Sequence, residues 1–195
     1  DLPAETTVAL QKGIRDACMA CKSHVLGGDT NAGGMLHIAG TAVGLVSHGR
    51  PLTRIGIRPD DQIFSTGPLG AGNAFAAAAL AEVHVSSAQY RPVARLPHGV
   101  AIRPHAGACM DTSDGALATL DQLARLNGVG FSFVPDWASR LDRSATAAAI
   151  AMGIPPWVFL AGPHGEFELI FSVSQERAPA IQAALGSLSG ECMLI

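Results

Sequence analysis

Charge and long apolar runs are both scarce in this sequence of 195 residues, and each shortage excludes a class of protein. Charged residues make up 15% of the chain and the net charge is −3, so neither a basic nucleic-acid surface nor an acidic tail is expected. No apolar run approaches the roughly 20 residues that span a membrane, and no charged start leads into an apolar signal segment. The apolar fraction of 48% is instead typical of a globular chain with a buried core.

Cysteine is also rare, and its spacing argues against a metal site or a disulfide framework. Of the four cysteines, only Cys18 and Cys21 lie close together in the sequence. They share a helical spacing with Leu10 and Ile14, which predicts that both thiols are small core residues on the apolar face of a helix. The cysteine usage favours a reduced, cytoplasmic protein.

Apolar periodicity and turn residues predict a mixture of helices and strands, and therefore an α/β or α+β fold. Residues 35–46 are apolar without helical spacing, which predicts a strand buried on both faces. The segment 91–105 is left open, because Pro97 interrupts a possible helix. Further helices are predicted over 5–23, 71–82, 144–152 and 175–188 and between Gly115 and Gly128, and further strands over 62–66, 106–110, 130–134, 166–173 and 192–195.

Two acidic turns stand out against this apolar background. The first is Gly27-Gly28-Asp29-Thr30-Asn31, where paired glycines allow a close approach to a bulky ligand and Asp29 offers a hard oxygen. A simple turn, with Asp29 bonded to its own backbone, is the alternative. The second is Asp111-Thr112-Ser113-Asp114-Gly115, whose two carboxylates are spaced to face one metal ion. Helix capping by Ser113 or Asp114 is the alternative there.

A glycine-rich stretch, Thr66-Gly67-Pro68-Leu69-Gly70-Ala71-Gly72, lies between a predicted strand and a predicted helix. It offers a phosphate cradle at the helix N-terminus, although it lacks the Gly-Lys-Ser/Thr of a P-loop and the Rossmann spacing. Together the three stretches indicate a nucleotide or phosphate site with magnesium.

The order of these stretches resembles that in thiamine-monophosphate kinase. In chain order the resemblance rests on Gly27-Gly28-Asp29-Thr30, Arg54-Ile55-Gly56, Asp60-Asp61 before Thr66-Gly67, Asp111-Thr112-Ser113-Asp114-Gly115, and Glu166-Phe167-Glu168-Leu169. That family is grouped with aminoimidazole ribonucleotide synthetase, selenophosphate synthetase and the hydrogenase-maturation protein HypE. The resemblance implies an aminoimidazole ribonucleotide synthetase-like, two-domain α/β (α+β) fold with mixed sheets packed against helices.

The resemblance also implies a set of site residues and cofactors. It implies that ATP is contacted by Gly28, Asp29, Arg54 and Ser113, and that magnesium is held by Asp29, Asp111 and Asp114. Gly165 and Glu166 fall in the region that meets the acceptor, with Gly165 where the kinase has an acidic residue. The implied reaction is in-line transfer of the ATP γ-phosphoryl group to a small phosphorylated acceptor, without a covalent enzyme intermediate.

Two alternatives to the kinase stay open at this stage. Pro68-Leu69-Gly70-Ala71-Gly72 is similar to a loop of selenophosphate synthetase, so an ATP-dependent synthetase of the same superfamily is one. A non-catalytic nucleotide-binding relative is the other. The resemblance further implies that residues 1–51 are the back part of an incomplete N-terminal ATP-binding domain that pairs in a homodimer. Residues 52–195 would then be the C-terminal domain, and partners other than the small acceptor, such as nucleic acid or a membrane, are not expected.

Overall fold

The computed structural model describes residues 2–46, 49–81, 90–133, 136–186, 188 and 193–194. It divides the chain into two compact units, Asp1–Gly49 and Arg50–Ile195. Across the residues that are described, no helix is long and apolar enough to cross a membrane.

The first unit contains helix α1, Ala4–Ala20, followed by extended and irregular chain. Within residues 2–46 no strand forms and no residue is buried, so the prediction of a buried strand over 35–46 is wrong for this structure. The physical reason is that a strand needs a hydrogen-bonded neighbour, and the described part of this unit supplies none. Cys18 and Cys21 are free and half-buried, so they are not the enclosed core residues that their spacing predicts.

The second unit is built on one antiparallel sheet. Its strands are β1 Gln62–Ser65, β2 Ala106–Asp111, β3 Leu169–Val173 and β4 Met193–Leu194, in the spatial order β2-β3-β1-β4. In the register, Ser65 lies opposite Ile170 and Asp111 lies opposite Leu169. The chain segments that follow β1 and β2 therefore meet the segment that precedes β3 at one end of the sheet.

Helices cover both faces of this sheet because its strands alternate apolar side chains between the two faces. Ile63 and Ile170 pack with Leu120 and Leu123 of one helix, whereas Phe64 and the residues beside it face the opposite side. There the Phe64 ring stacks on Phe171 with centroids 5.8 Å apart. The helices of the unit are α2 Ala71–Leu80, α3 Leu96–Ile102, α4 Ala116–Asn127, α5 Arg143–Met152, α6 Val158–Ala161 and α7 Ala178–Gly186, with a 3₁₀ turn at Trp137–Arg140.

Local sequence signals account for several helix ends. Gly128 directly follows α4 and Gly153 directly follows α5, and both glycines adopt the left-handed conformation that terminates helices. Asp142 caps α5 by accepting a hydrogen bond from the Ser144 N–H at 2.7 Å. Pro97 lies in the first turn of α3, where a missing N–H costs nothing, so the open segment 91–105 contains a short helix.

Two predicted strands are shorter than expected or absent. The strand predicted over 166–173 begins only at Leu169, because the residues before it form a turn. In the described part of 130–134, residues 130–133, no strand forms. Instead, the partly buried Val129 and Phe131 side chains pack beside the α4 face of the sheet.

Candidate active site

The sheet end that joins three turns carries most of the polar residues singled out in the sequence. These turns are 66–70 after β1, 111–115 after β2 and 165–168 before β3. Backbone hydrogen bonds join the turns where they leave the sheet. Thr66 N–H donates to the Leu169 carbonyl at 3.0 Å, and Thr112 N–H donates to the Glu168 carbonyl at 2.8 Å.

The turn that begins at Asp111 leaves its carboxylates unused. Helix α4 is capped by Gly115, which has φ 91°, and no side chain among the described residues caps that helix end. The capping alternative for Ser113 and Asp114 is therefore wrong. Within the described part of the chain, the carboxylates of Asp111 and Asp114 make no hydrogen bond or ion pair. Asp114 is exposed and Asp111 is half-buried at the end of β2.

The backbone of the same turn is held firmly. The hydroxyl of Thr119, one turn into α4, lies within hydrogen-bond distance of two carbonyl oxygens and donates to them, Asp111 at 3.0 Å and Gly115 at 2.9 Å. The Ser113 carbonyl accepts from the Gly165 N–H at 3.1 Å. A rigid backbone with free carboxylates is the arrangement expected of a ligand-binding turn.

The glycine-rich stretch uses its helix end internally. Gly70, at φ 90°, is the residue before α2, and its N–H donates to Glu166 Oε2 at 2.8 Å. The N-terminus of α2 thus already faces a carboxylate of the same chain. The prediction that this stretch cradles a phosphate at that helix end is not supported by the geometry.

Glu166 is buried, with 5% of its surface exposed, and its second oxygen has no hydrogen-bond partner among the described residues. Burial raises the pKa of this carboxyl to about 7, the charge of Glu168 acts in the same direction, and the hydrogen bond from the Gly70 N–H opposes both. The contact of Glu166 with an acceptor, which the resemblance implies, stays a prediction.

Gly165 packs closely against the backbone of Thr112 and against Gly72. A Cβ built on it would lie 1.4 Å from the Thr112 carbonyl oxygen, and a Cβ on Gly72 would lie 2.3 Å from the Gly165 oxygen. Both backbone groups of Gly165 are in use, since its N–H meets Ser113 and its carbonyl accepts from the Tyr90 hydroxyl at 2.9 Å. The backbone here therefore leaves no room for a side chain at the position where the resemblance implies an acidic residue.

An ion pair beside these turns joins Glu168, which belongs to a motif quoted from the sequence, to Arg95, which belongs to none of those motifs. The Arg95 guanidinium binds both oxygens of Glu168, with Nε to Oε2 at 2.8 Å and Nη2 to Oε1. The Thr66 hydroxyl donates to Glu168 Oε2 at 2.5 Å. The motif order points to Glu168, but no spacing rule connects it to an arginine 73 positions earlier. The neighbouring His98 is buried, and burial followed by the charge of Arg95 lowers its pKa.

Arg54 lies on a different part of the second unit. Its Nη1 donates to Gln122 Oε1 on α4 at 2.8 Å, and its carbonyl accepts from Asn127 Nδ2 at 2.9 Å. Asn127 Oδ1 also accepts from the N–H groups of Gly56 at 2.7 Å and Ile57 at 3.0 Å. A single asparagine at the end of α4 thus anchors the segment that carries Arg54.

Gly28 and Asp29 belong to the first unit, where both are exposed. Asp29 Oδ1 accepts from the Thr30 N–H at 2.8 Å and Oδ2 accepts from Asn31 Nδ2 at 3.0 Å, so its carboxylate orders the turn locally. A Cβ on Gly28 would meet nothing within 4 Å. Among the described residues, no three potential metal ligands of the His, Cys, Asp or Glu type lie together.

A separate cleft of about 810 Å³ lies at the opposite end of the sheet. Gly56, Asp60 and Asp61 of its lining belong to motifs that carry the resemblance, but none of the residues implied to bind ATP, magnesium or the acceptor lines it. Its charged side chains are of both signs. Its lining comprises Gly56, Arg58, Pro59, Asp60, Asp61, His105, Ala106, Gly107, Ser174, Gln175, Glu176 and Arg177.

Comparison with known proteins gives no matching family model but several named relatives. The chain is 31% identical over 189 residues to thiamine-monophosphate kinase of Halobacterium salinarum, across 93% of this chain and 61% of that protein. It is 30% identical over 173 residues to thiamine-monophosphate kinase of Salmonella typhimurium, across 84% of this chain and 52% of that protein. The chain thus spans between half and two thirds of these relatives.

Solved structures give the same result at the level of the fold. AaThiL complexed with AMPPCP and TMP matches with a TM-score of 0.54 and 25% identity, over 65% of this chain and 43% of that one. HypE of E. coli matches with a TM-score of 0.60 and 21% identity, over 71% of this chain and 43% of that one. The protein tt0281 of Thermus thermophilus matches with a TM-score of 0.71 and 23% identity, over 100% of this chain and 66% of that one.

The chain therefore has the α/β fold of the aminoimidazole ribonucleotide synthetase-like proteins, as its motif order predicts. Within that class it is a relative of the thiamine-monophosphate kinases, and the resemblance read from the motifs is confirmed.

Proposed function

We propose that this chain is part of an ATP- and Mg²⁺-dependent phosphotransferase of the thiamine-monophosphate kinase type. The observation that carries the proposal is the turn at the end of β2, where the carboxylates of Asp111 and Asp114 have no partner among the described residues and the backbone is held by Thr119. The named relatives support thiamine monophosphate as the acceptor. In the reaction, the bond between the γ-phosphorus and the β-phosphate oxygen of ATP breaks, a bond to an acceptor phosphate oxygen forms, and ADP leaves.

Asp111 and Asp114 fit a magnesium site, because hard oxygen ligands are what Mg²⁺ takes in proteins and one or two carboxylates plus phosphate oxygens suffice. Bound there, the ion would supply charge neutralisation for the phosphates. Without a cation the two carboxylates would repel the phosphates. Asp29 of the first unit is proposed as a further ligand by resemblance.

The remaining site residues are proposed to hold and orient ATP. The Ser113 hydroxyl is not used by a helix cap and can donate to a phosphate oxygen. Arg54 can exchange its bond to the exposed Gln122 for a phosphate contact, and Gly28 lets the backbone approach the nucleotide closely. Catalysis then comes mainly from positioning and electrostatics, since no nucleophilic side chain is required.

A synthetase of the same superfamily is the second candidate. It is favoured by Gly165, where the kinase pattern has an acidic acceptor-binding residue and this backbone has no space for one. Such an enzyme would use ATP to phosphorylate a different small acceptor at the same Asp111–Asp114 turn.

The deciding experiment measures ADP release by the full-length protein with ATP and Mg²⁺, in the presence and absence of thiamine monophosphate. Acceptor-dependent ADP release is expected. ADP release that thiamine monophosphate does not stimulate would refute the kinase assignment and favour the synthetase. Absence of all ADP release would favour a non-catalytic nucleotide-binding relative.

The metal assignment has its own test. Asp111→Asn should weaken the Mg²⁺-dependent binding of a non-hydrolysable ATP analogue by about 10-fold or more in calorimetry. Asp121→Asn is the matched control and should leave binding unchanged, because it removes an exposed carboxylate on α4 that pairs with Arg125 on the same helix. Equal binding by Asp111→Asn and wild type would contradict the assignment.

The cellular context and the oligomeric state are part of the same proposal. The free thiols of Cys18, Cys21 and Cys109 are consistent with a reducing, cytoplasmic location. A homodimer formed through the N-terminal domain is proposed from the resemblance, and sedimentation equilibrium of the full-length protein tests it.

A further inference from the structure

We propose that Arg95 is a positioning residue for the Asp111–Asp114 turn, acting through Glu168 and Thr112 and not by contact with nucleotide or acceptor. The inference rests on the proposed function, because it concerns the turn to which that function assigns magnesium and ATP.

The first link is the buried ion pair. The side chains of Arg95 and Glu168 are only 16% and 7% exposed, and the guanidinium engages both carboxylate oxygens. A two-point contact of this kind fixes direction as well as distance, which a single ammonium cannot do. Arg95 is held from its own side too, since its carbonyl accepts from the Gly99 N–H at 2.8 Å at the start of α3.

The second link is the confinement of Glu168. Its Oε2 also accepts from the Thr66 hydroxyl at 2.5 Å, and a Cβ on Gly67 would lie 2.8 Å from its Oε1. The carboxylate is thus enclosed by the ion pair on one side and by the turn after β1 on the other.

The third link joins Glu168 to the acidic turn. The Glu168 carbonyl accepts from the Thr112 N–H at 2.8 Å, and the Glu168 N–H donates to the Thr112 hydroxyl at 3.0 Å. Thr112 is buried between Asp111 and Ser113, so its position sets where both neighbours emerge. The orientation of the acidic turn therefore follows that of Glu168.

Loss of the guanidinium should disturb this chain of contacts in a specific way. Among the described residues, an apolar side chain at position 95 would leave the buried Glu168 carboxylate with the Thr66 hydroxyl alone. A buried charge without an ionic partner is strongly unfavourable. The carboxylate would move toward water and take Thr112 with it. Changes to residues that orient metal ligands reduce metal affinity or activity by about 10- to 100-fold.

The test compares Arg95→Met with the double variant Arg95→Met/Glu168→Gln in the full-length enzyme. The Mg²⁺ concentration for half-maximal phosphoryl transfer should rise about 10- to 100-fold in the single variant. It should return to within about threefold of wild type in the double variant, because the neutral amide no longer needs the guanidinium. Arg103→Met, which removes the same charge at the other end of α3, is the matched control and should behave as wild type.

Two outcomes would overturn the proposal. An unchanged Mg²⁺ requirement in Arg95→Met would exclude a positioning role. A double variant as impaired as the single one would indicate that Arg95 contacts the substrate itself.

Hydrogen exchange separates this proposal from the proposed function. In Arg95→Met, the amides of Thr112 and Gly165 should exchange faster relative to the amide of Ile181, which lies in α7 and bonds to the Arg177 carbonyl. Unchanged exchange at both sites would refute the positioning role even in an active enzyme. If the wild type releases no ADP, the proposed function fails, and the exchange result still decides the role of Arg95.

Discussion

Replacement of Gly165 by alanine should destabilise the protein severely, although it adds a single methyl group. The added Cβ would lie 1.4 Å from the Thr112 carbonyl oxygen, whereas real Cβ contacts are not shorter than 3.0 Å. The two turns would have to separate by about 1.6 Å. Because the obstacle is backbone, no side-chain rotation can relieve it.

The expected loss is about 3–5 kcal/mol of unfolding free energy. Forced displacement in a packed region costs about 1–3 kcal/mol. The movement also breaks two hydrogen bonds, from the Gly165 N–H to Ser113 and from the Tyr90 hydroxyl to the Gly165 carbonyl, each contributing about 1 kcal/mol. A loss of this size is a large part of the total stability of an ordinary domain.

Urea denaturation followed by circular dichroism measures the effect. The matched control is Gly186→Ala, since Gly186 lies at the end of α7 and a Cβ added there would meet nothing within 4 Å. That control should be neutral or stabilising by up to about 1 kcal/mol. A free energy of unfolding of Gly165→Ala within about 0.5 kcal/mol of wild type would refute the steric argument.

Three further predictions concern titration, anchoring and thiol reactivity. Burial raises the folded-state pKa of Glu166 to about 7 from an unfolded value near 4.5. Between these pH values the folded state binds more protons than the unfolded state, so the free energy of unfolding should fall by up to about 3 kcal/mol as the pH rises from 4.5 to 7. Glu166→Gln should flatten that part of the stability–pH profile measured by urea denaturation, and an equal slope in both proteins would contradict the burial argument. Asn127→Ala should lower the free energy of unfolding by about 1–3 kcal/mol, because the N–H groups of Gly56 and Ile57 lose their acceptor. It should also weaken ATP binding by displacing Arg54. Thermal melts test the first effect and calorimetry the second, and an unchanged value in either would disprove that effect. Burial raises the pKa of Cys109 to about 12. Its alkylation by iodoacetamide at pH 8 should therefore be negligible in the folded protein and rapid in urea. Fast labelling of the native protein would show that this thiol is accessible and would contradict the prediction.

Several elements were predictable because their signals are local. The helix between Gly115 and Gly128 carries its own apolar period and its own stop signal, and it forms as Ala116–Asn127. The strand around Phe64 alternates by residue, and its two faces pack into separate clusters as expected of a sheet covered on both sides.

Other predictions failed because they depend on neighbours that a linear pattern does not contain. Residues 35–46 are apolar enough for a buried strand but have no pairing partner among the described residues of their unit. Gly70 follows the pattern of a phosphate-binding loop, yet its N–H is taken by Glu166, 96 positions away in sequence. Helix capping by Asp114 was excluded only by the observed backbone at Gly115.

The sequence by itself determined the alternation of helices and strands, the acidic turns and the motif order shared with thiamine-monophosphate kinases. These follow from residue type and from contacts a few positions apart. Only the tertiary structure decided which polar groups are used up and which stay free. The buried Glu166 and Glu168 and the half-buried Arg95 are used in bonds that span the chain, whereas Asp111 and Asp114 are left unpaired among the residues that the structure describes. The physical reason is that a buried charge must find its partner in space, and that partner can be any distance away along the chain.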